Sequence, residues 1–273
     1  MSGQSPFQVP PYNRLAAIYD RAGLSAYARQ QVPRYLALAQ SLDWAGRRVL
    51  DLGCGTGVSA WLLARQGMRV LGLDASAEML AQAVARSQVF AEDSEAVADV
   101  YEMPTFQQMD IRHLEVAAGP VDLVLAVGGV LNAMPSLRDL EQVFVRVRGA
   151  LEDDRPFIFD MHTIQGLAVS AAQSDRVLFD NSSDLLLIAR SHFSYETQRR
   201  TVRYTIFAQQ GNLTWGRADE IHLERGYPVQ GVVALLERTG FAVLAVLGAD
   251  LEPLDAQEDS ERAVFVAARQ PRA

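Results

Sequence analysis

The sequence is poor in the residues from which metal sites and covalent frameworks are built. It holds one cysteine, Cys54, and four histidines among 273 residues. One cysteine excludes an internal disulfide and any multi-cysteine metal site, and no two histidines stand at the HxxxH or HxH spacing that would hold zinc. We therefore predict no bound metal, and we interpret Cys54 as a small packing residue rather than a nucleophile.

The chain also lacks an excess of basic charge and any long apolar segment. Its formal net charge is −8 at pH 7, which argues against a nucleic-acid partner because phosphate binding needs a basic face. No stretch approaches the roughly 18 consecutive apolar residues that cross a bilayer. The first residues show neither the basic nor the apolar region of a secretory signal. These absences predict a cytoplasmic protein with no membrane partner.

Strand-like and helix-like patterns alternate along much of the chain. Short apolar strands followed by helical segments recur four times between residues 44 and 165, which favours a parallel sheet covered by helices on both faces. Residues 176–225 break this rhythm with β-rich runs separated by turn signals and predict three or four antiparallel strands. A helical stretch at 228–239 and a hairpin formed by 241–249 and 261–269 follow.

We divide the chain into four parts on this basis. Residues 1–43 are predicted to form an N-terminal helical lid, and residues 44–165 an α/β core. Residues 166–227 are predicted to form an inserted antiparallel β subdomain that covers the substrate. Residues 228–273 are predicted to supply a C-terminal helix and β-hairpin that complete the core. A chain of this length can hold one large domain with such an insertion.

The stretch VLDLGCGTGVSA, residues 49–60, carries three glycines at alternate positions directly after an apolar run that ends in an acid. A glycine-rich turn between a first strand and a helix is where α/β sheets hold nucleotide-like ligands. Gly53, Gly55 and Gly57 form GxGxG, which departs from the dinucleotide fingerprint GxGxxG, and no GK[ST] follows, so a phosphate-cradling loop is excluded. Asp51 would repel a pyrophosphate but could hold a cationic or amino-bearing ligand.

Two further acids end the next two predicted strands. Asp74 lies 21 residues beyond Gly53, where a carboxylate can accept both hydroxyls of a ribose. Asp110 ends the third strand, where it could accept a hydrogen bond from the exocyclic amine of a base. Together with Asp51 and the glycines, these acids describe a site for an adenosine that carries a positive charge and an amino group. That ligand is S-adenosyl-L-methionine (SAM).

At these residues the sequence resembles the class I SAM-dependent methyltransferases. The matching stretches are VLDLGCGTG, VLGLDASAEML, FQQMDIRHL, VDLVLAVGGVLNAM and FIFDMHT, with LLERTGF and the terminal hairpin further on. The resemblance implies an α/β fold: a Rossmann-like seven-stranded sheet, its last strand antiparallel, flanked by helices, with the inserted antiparallel β subdomain. It places the cofactor contacts at Asp51, Gly53, Gly55, Gly57, Asp74, Ala75, Met79, Asp110, Ile111 and Val127.

Two of these positions have a structural alternative. Met79 stands equally well as a core residue of its helix or as a contact to the adenine. Asp110 could cap the turn that follows it instead of meeting the base. Both interpretations stay open at the level of sequence.

The resemblance also extends to stretches that point to a small-molecule acceptor. EIHLERGY, residues 220–227, resembles the E-x-H-x-x-R-x-Y pattern of small-molecule methyltransferases whose β-rich segment covers the acceptor. AAIYD, residues 16–20, resembles an A-x-x-Y-D segment that folds over the sulfonium end of the cofactor. The [DN]PP[YF] motif of DNA amino-methylating enzymes is absent. The expected acceptor is an amine or a hydroxyl, and the alternatives are a protein acceptor or a non-catalytic SAM-binding protein, as monomer or homodimer.

A neutral hydroxyl or an ammonium must lose a proton before or during methyl transfer. Four residues are candidate catalytic bases. His162 is the first, because it follows the fifth strand at the crevice. Tyr19, His222 and Tyr227 follow, because they lie on the predicted lids. The sequence names none of them as strictly required.

Overall fold

The computed structural model describes residues 12–42, 44, 46–92, 102–116, 119–173, 175–211, 214–254 and 260–271. Residues 1–11 of the predicted lid lie outside this part. The strands are β1 (Arg48–Leu52), β2 (Arg69–Asp74), β3 (Thr105–Gln108), β4 (Leu123–Ala126), β5 (Pro156–His162), β6 (Asp175–Asp180), β7 (Leu185–Ser194), β8 (Arg199–Gln210), β9 (Thr214–Arg225), β10 (Phe241–Leu247) and β11 (Arg262–Arg269).

Seven of these strands form one mixed sheet in the order β3-β2-β1-β4-β5-β11-β10. The first five run parallel to one another. Strand β11 enters antiparallel between β5 and β10. The predicted seven-stranded α/β sheet with its last strand antiparallel is confirmed.

Six α-helices accompany the sheets. They are α1 (Ala26–Gln40), α2 (Val58–Ala64), α3 (Ala77–Glu92), α4 (Leu137–Ala150), α5 (Ile164–Ala172) and α6 (Val229–Arg238). Short 3-10 helices form at Ala16–Ile18, Ile111–His113 and Val130–Ala133. The N-terminal segment is therefore helical only in part: turns and one 3-10 helix precede α1, which carries Pro33 in its interior.

The parallel sheet is buried on both faces, which explains why its strands read as apolar runs rather than as alternating patterns. In β5, Phe157 and Phe159 pack against Phe144 of α4. Ile158, between them, belongs to a second core cluster that includes Val32 of α1 and Leu63 of α2. Alternate residues of one strand thus serve opposite layers of the core.

The remaining strands, β6 to β9, form a separate antiparallel sheet in sequential order. Four strands agree with the upper end of the predicted number. The inserted region differs from the prediction at its start, because residues 164–172 form helix α5. The side chain of Thr163 caps that helix by accepting the N–H of Gly166 at 2.9 Å. The β-rich part therefore begins at residue 175.

Candidate functional site

The glycine turn after β1 contains residues of two kinds. Gly53, Gly55 and Gly57 all adopt positive φ, at 64°, 54° and 76°, a conformation that favours glycine. A Cβ atom on Gly53 would come within 2.6 Å of Val130, and one on Gly57 within 2.9 Å of Phe106. A Cβ on Gly55 would meet no atom within 4 Å. Two glycines are therefore also demanded by close packing, whereas Gly55 faces open space.

Two acids stand beside this turn. Asp51 on β1 is 1% exposed, and its Oδ2 has no hydrogen-bond partner among the described residues. Burial raises the pKa of Asp51 to about 7. Asp74, at the end of β2, accepts the N–H of Gly55 at 2.9 Å and the N–H of Ser76 at 2.8 Å, one on each oxygen. Each oxygen of Asp74 keeps a lone pair for a further donor.

The other predicted cofactor residues come to the same edge of the sheet. Ala75 follows β2 and is exposed, Ile111 follows β3, and Val127 follows β4. Adjacent parallel strands end at a common edge, which places these residues together with the glycine turn. Met79 in α3 is 2% exposed, as a core residue would be, and its predicted contact with an adenine stays a prediction.

Asp110 takes the capping role that the sequence left open. Its Oδ1 accepts the backbone N–H of Arg112 at 2.9 Å, and both of its oxygens accept from the guanidinium of the same residue. Hydrogen bonding from the Arg112 side chain lowers the pKa of Asp110. The hydrogen bond that Asp110 is predicted to accept from the exocyclic amine of a base stays a prediction, and the contacts with Arg112 are already present.

The first described residues form a strap across this edge of the sheet; we use "strap" for residues 12–20. Its carbonyl at Tyr12 accepts the hydroxyl of Ser76 at 3.3 Å. At its other end, Asp20 accepts the hydroxyl of Thr56 at 3.0 Å and pairs with Arg86. The strap thus touches both the glycine turn and the segment that follows Asp74.

The inserted sheet presents a polar face toward the strap. His222 on β9 lies with its ring 4.3 Å from that of Tyr12 and 4.9 Å from that of Tyr204 on β8, measured between centroids. Tyr12 in turn lies 6.1 Å from Tyr19. Within the described part of the chain, none of the three tyrosine hydroxyls makes a hydrogen bond. They are free to meet a ligand.

The structure argues against His162 as a base. Its Nε2 lies 2.7 Å from a guanidinium nitrogen of Arg262, which can only donate. The backbone of Glu261 also hydrogen-bonds to the ring. Burial, then the charges of Arg262 and Arg200, lowers the pKa of His162 to about 3. A group with so low a pKa is a weak proton acceptor, which counts against His162 as a base, and its catalytic role stays a prediction.

The catalytic roles of the other three candidate bases stay predictions, and each residue has contacts or a pKa shift that bears on its role. Tyr227 is buried, and its hydroxyl donates to the carbonyl of Met134 at 2.6 Å, so it serves packing. His222 points its Nε2 at Glu220, 2.5 Å away. Tyr19, within the strap, does lie in the aromatic group with Tyr12, but burial, then Tyr204 and Asp20, raises its pKa. A tyrosine with a raised pKa is not a base at neutral pH.

Sequence reasoning missed a buried ion pair next to the β4 turn. Asp160, on β5, is fully buried and pairs with Arg262 of β11. It also accepts the N–H of Gly128 at 2.8 Å and the N–H of Gly129 at 2.9 Å, and the hydroxyl of Tyr35 at 3.3 Å. The one available signal was an acid inside the apolar run FIFDMH. Its partners lie 31 to 125 residues away.

Two arrangements that other chemistry would use are not found among the described residues. No group of three or more histidine, cysteine, aspartate or glutamate residues is placed to hold a metal ion. No helix there is long and apolar enough to span a membrane. A depression of about 760 Å³ between α4 and residues 114–120 includes none of the predicted site residues in its walls.

Comparison with known proteins agrees with this geometry. The methyltransferase domain family matches residues 49–154. The protein YqeM of Bacillus subtilis (strain 168), itself named as a methyltransferase, is 28% identical over 94% of this chain and 96% of its own. Residues 49–154 thus match a methyltransferase domain, and the fold around them is that of a solved SAM-dependent methyltransferase. These matches support an enzyme of the methyltransferase type.

Solved structures show the same fold for this methyltransferase at low sequence identity. A SAM-dependent methyltransferase from Clostridium acetobutylicum ATCC 824 has a TM-score of 0.78 and 20% identity, covering 96% of this chain and 100% of that one. The sugar N-methyltransferase KedS8 from Streptoalloteichus has a TM-score of 0.69 and 16% identity, covering 99% and 96%. Because these alignments cover 96% and 99% of this chain, the similarity in fold includes the inserted sheet.

Proposed function

We propose that this methyltransferase acts on a small molecule, at an amine or a hydroxyl. The observation that carries the proposal is the roof over the cofactor edge of the sheet. The strap contacts one side of that edge at Thr56 and Ser76, and the inserted sheet contacts the other side through Asn132. A covered site admits a small acceptor, which can enter it completely. It disfavours a polymer, which would have to lie across the surface.

The inserted sheet is tied to the core at the end of β4, where methyl transfer would take place. Asn132, fully buried, donates to the carbonyl of Arg225 at 2.9 Å and to the carbonyl of His162 at 3.0 Å. Arg225 also donates to the carbonyl of Pro135 at 2.7 Å. These bonds join β9, β5 and the β4 turn, so the polar face of the insertion has a fixed place beside the reaction edge.

The residues at the turn fit SAM. The unpartnered Oδ2 of Asp51 is a buried acceptor beside the glycine turn, suited to the amino group of the cofactor. The free lone pairs of Asp74 suit the two ribose hydroxyls. The open space at Gly55 lets a ligand approach the backbone. Gly53, Gly57, Ala75, Met79, Ile111 and Val127 complete the proposed site.

When bound, SAM supplies a methyl group activated by a sulfonium charge. The residues of the chain contribute by holding the two reactants in line, which can supply roughly 7–11 kcal/mol of a barrier. The free hydroxyls of Tyr12, Tyr19 and Tyr204 can accept or donate hydrogen bonds to a polar acceptor. His222 and Tyr227 are engaged by Glu220 and by the carbonyl of Met134. The pKa shifts of His162 and Tyr19 disfavour both as proton acceptors. We therefore propose that an amine acceptor enters already deprotonated by solvent.

The acceptor names of similar structures support this choice. KedS8 is a sugar N-methyltransferase, CalS10 is an amino pentose methyltransferase, and MtfA is a glycopeptide N-methyltransferase. All three are under 25% identical to this chain, so they support a class of acceptor and not an individual compound. An amine on a small scaffold is accordingly the first class to test.

The test uses SAM carrying a labelled methyl group. Cell extract is divided into a small-molecule filtrate and a retained macromolecular fraction, and each is incubated with the enzyme. We expect label to enter compounds of the filtrate. The variant Gly55→Val serves as the control for enzyme-dependent transfer. Label confined to protein or nucleic acid in the retained fraction would contradict a small-molecule acceptor, and a panel of amines and phenols then separates the two acceptor atoms.

A further inference from the structure

Glu220 on β9 makes an unusual set of contacts with the strap. Its side chain is fully buried, and its carboxylate accepts the backbone N–H of Tyr12, of Arg14 at 2.6 Å and of Leu15 at 3.2 Å. Nε2 of His222 lies 2.5 Å from the same carboxylate. One side chain of the inserted sheet therefore satisfies three backbone donors within four residues of the N-terminal segment.

The contact requires a charged acceptor. Burial alone would raise the pKa of Glu220, but hydrogen bonds from His222 and from the strap N–H groups lower it below its usual value. The side chain is thus an ionised carboxylate at neutral pH, and the three strap N–H groups and His222 point toward it. An amide in its place would turn an N–H₂ group toward these donors, so a glutamine of the same shape cannot make the same contact.

The same strap residues reach the proposed cofactor site. The carbonyl of Tyr12 accepts from Ser76, and Nδ2 of Asn13 donates to Glu78 at 2.7 Å. Ser76 and Glu78 flank the helix start that follows Asp74, the proposed ribose partner. The strap therefore spans from Glu220 on the inserted sheet to the ribose corner of the parallel sheet.

We propose that Glu220 is a positioning residue that fastens the strap across the cofactor site, so that SAM enters and product leaves only when the strap releases this carboxylate. The inference rests on the cofactor site proposed above. Glu220 has four partners and no access to solvent, so it acts through the strap rather than on a substrate. His222, expected above as a base, belongs to the same fastening.

The first experiment removes the charge with Glu220→Gln. Trypsin cuts after arginine, and the bond between Arg14 and Leu15 lies within the fastened segment, with the Arg14 side chain exposed and Leu15 buried. We expect cleavage there, and dissociation of S-adenosylhomocysteine in stopped flow, each to become about tenfold faster or more, since hydrogen bonds to a charged group are lost. The affinity ratio of SAM to S-adenosylhomocysteine should stay constant.

The matched control is Glu224→Gln, four residues further along the same face of β9. Glu224 pairs with Arg200 of β8 and makes no hydrogen bond to the described strap residues. It should leave both rates at the wild-type value. Equal acceleration in both variants would mean a general loosening of the inserted sheet and would overturn the proposal. Faster cleavage without faster release would also overturn it, because the strap would then not control exchange.

Hydrogen exchange of the wild-type protein gives a second measurement that needs no variant. The amides of Tyr12, Arg14 and Leu15 should be protected, and more strongly with S-adenosylhomocysteine bound. Unprotected amides in the bound protein would overturn the fastening even if Glu220→Gln failed to fold. A wild-type protein whose strap is protected but which binds neither SAM nor S-adenosylhomocysteine would instead contradict the cofactor site itself, and with it the role in exchange.

Discussion

Two buried aspartates of the parallel sheet, one on β1 and one on β5, have opposite surroundings. Asp160 is saturated: it pairs with Arg262 and accepts from Gly128, Gly129 and Tyr35. Asp51 has an oxygen with no partner among the described residues, and burial raises its pKa to about 7. A saturated buried acid stabilises its own fold, whereas an unsatisfied one costs stability until a ligand supplies the missing donor.

The same contrast extends to the segments that these acids hold. Asp160 holds the backbone of the β4 turn by accepting the N–H groups of Gly128 and Gly129, and both bonds lie within the protein. Around Asp51, the glycine turn leaves open space at Gly55 and free lone pairs on Asp74. One region is complete in the protein alone, and the other is arranged for an additional molecule. Four measurements test this contrast.

The largest expected effect is that of Gly55→Val on cofactor binding. A branched side chain would fill the space that the ligand needs, so SAM binding should fall below detection by calorimetry. The backbone strain of a positive φ costs about 1–2 kcal/mol of folding free energy as well. Gly211→Val is the control, because Gly211 also has a positive φ, at 68°, and open space around its Cβ. It should lose stability alike and keep its SAM affinity; normal affinity in Gly55→Val would show that the glycine serves the turn only.

The second effect compares Asp160→Asn with Asp51→Asn in the free protein. Asp160→Asn leaves the Arg262 charge buried without its partner, and the free energy of unfolding should drop by about 3–5 kcal/mol. Asp51→Asn removes a charge that has no ion-pair partner, so stability at neutral pH should be unchanged or slightly higher. Denaturant titrations measure both. Similar losses in the two variants would remove the distinction between the two regions.

The third effect is that of Asp74→Ala on SAM affinity, which should weaken at least tenfold. Two ribose hydrogen bonds to a charged acceptor would be lost, each contributing about 1.5–3 kcal/mol. Part of the change could come from the turn itself, because Asp74 also accepts from Gly55 and Ser76. Asp74→Asn keeps an acceptor oxygen for the turn, so its SAM affinity should lie between those of the wild-type protein and Asp74→Ala. An unchanged dissociation constant in Asp74→Ala would exclude the ribose contact.

The smallest effect is the pH dependence of SAM binding through Asp51. The free protein favours the protonated form of Asp51 below pH 7, whereas an ammonium partner favours the ionised form. SAM affinity should therefore rise with pH and level off above 7, with a change of about threefold between about pH 6.5 and about pH 7.5. Calorimetry in buffers of different ionisation enthalpy would detect the released proton. Asp51→Asn should remove the dependence; a wild-type affinity independent of pH would mean that Asp51 does not meet the amino group.

The sign of this linkage also bears on the free protein. The folded pKa of Asp51 is raised from its ordinary value of 3.8, so folding favours its protonated form. The stability that this group contributes is present below pH 3.8 and is lost as the pH rises through about 7. Bound SAM would restore part of it by supplying an opposite charge.

Much of the core could be predicted because its signals are local. The run VLDLGCGTG places a buried strand, a turn and a helix start within a few residues, and the acids Asp51 and Asp74 follow from strand ends. The seven-stranded sheet and the antiparallel direction of its last strand followed from the resemblance and are confirmed. The chemistry of the acceptor side could not be read in this way, as His162 shows: its pKa depends on Arg262, which lies 100 residues further on.

The sequence by itself determined the parallel sheet, the glycine turn and the acids beside it, because hydrophobic periodicity and turn chemistry act over short distances along the chain. Only the tertiary structure decided which of these groups are satisfied. Glu220 meets the strap across more than 200 residues, and Asp160 meets Tyr35 across 125. Oδ2 of Asp51 has no hydrogen-bond partner among the described residues. Hydrogen bonding and desolvation depend on neighbours in space, and no local pattern encodes them.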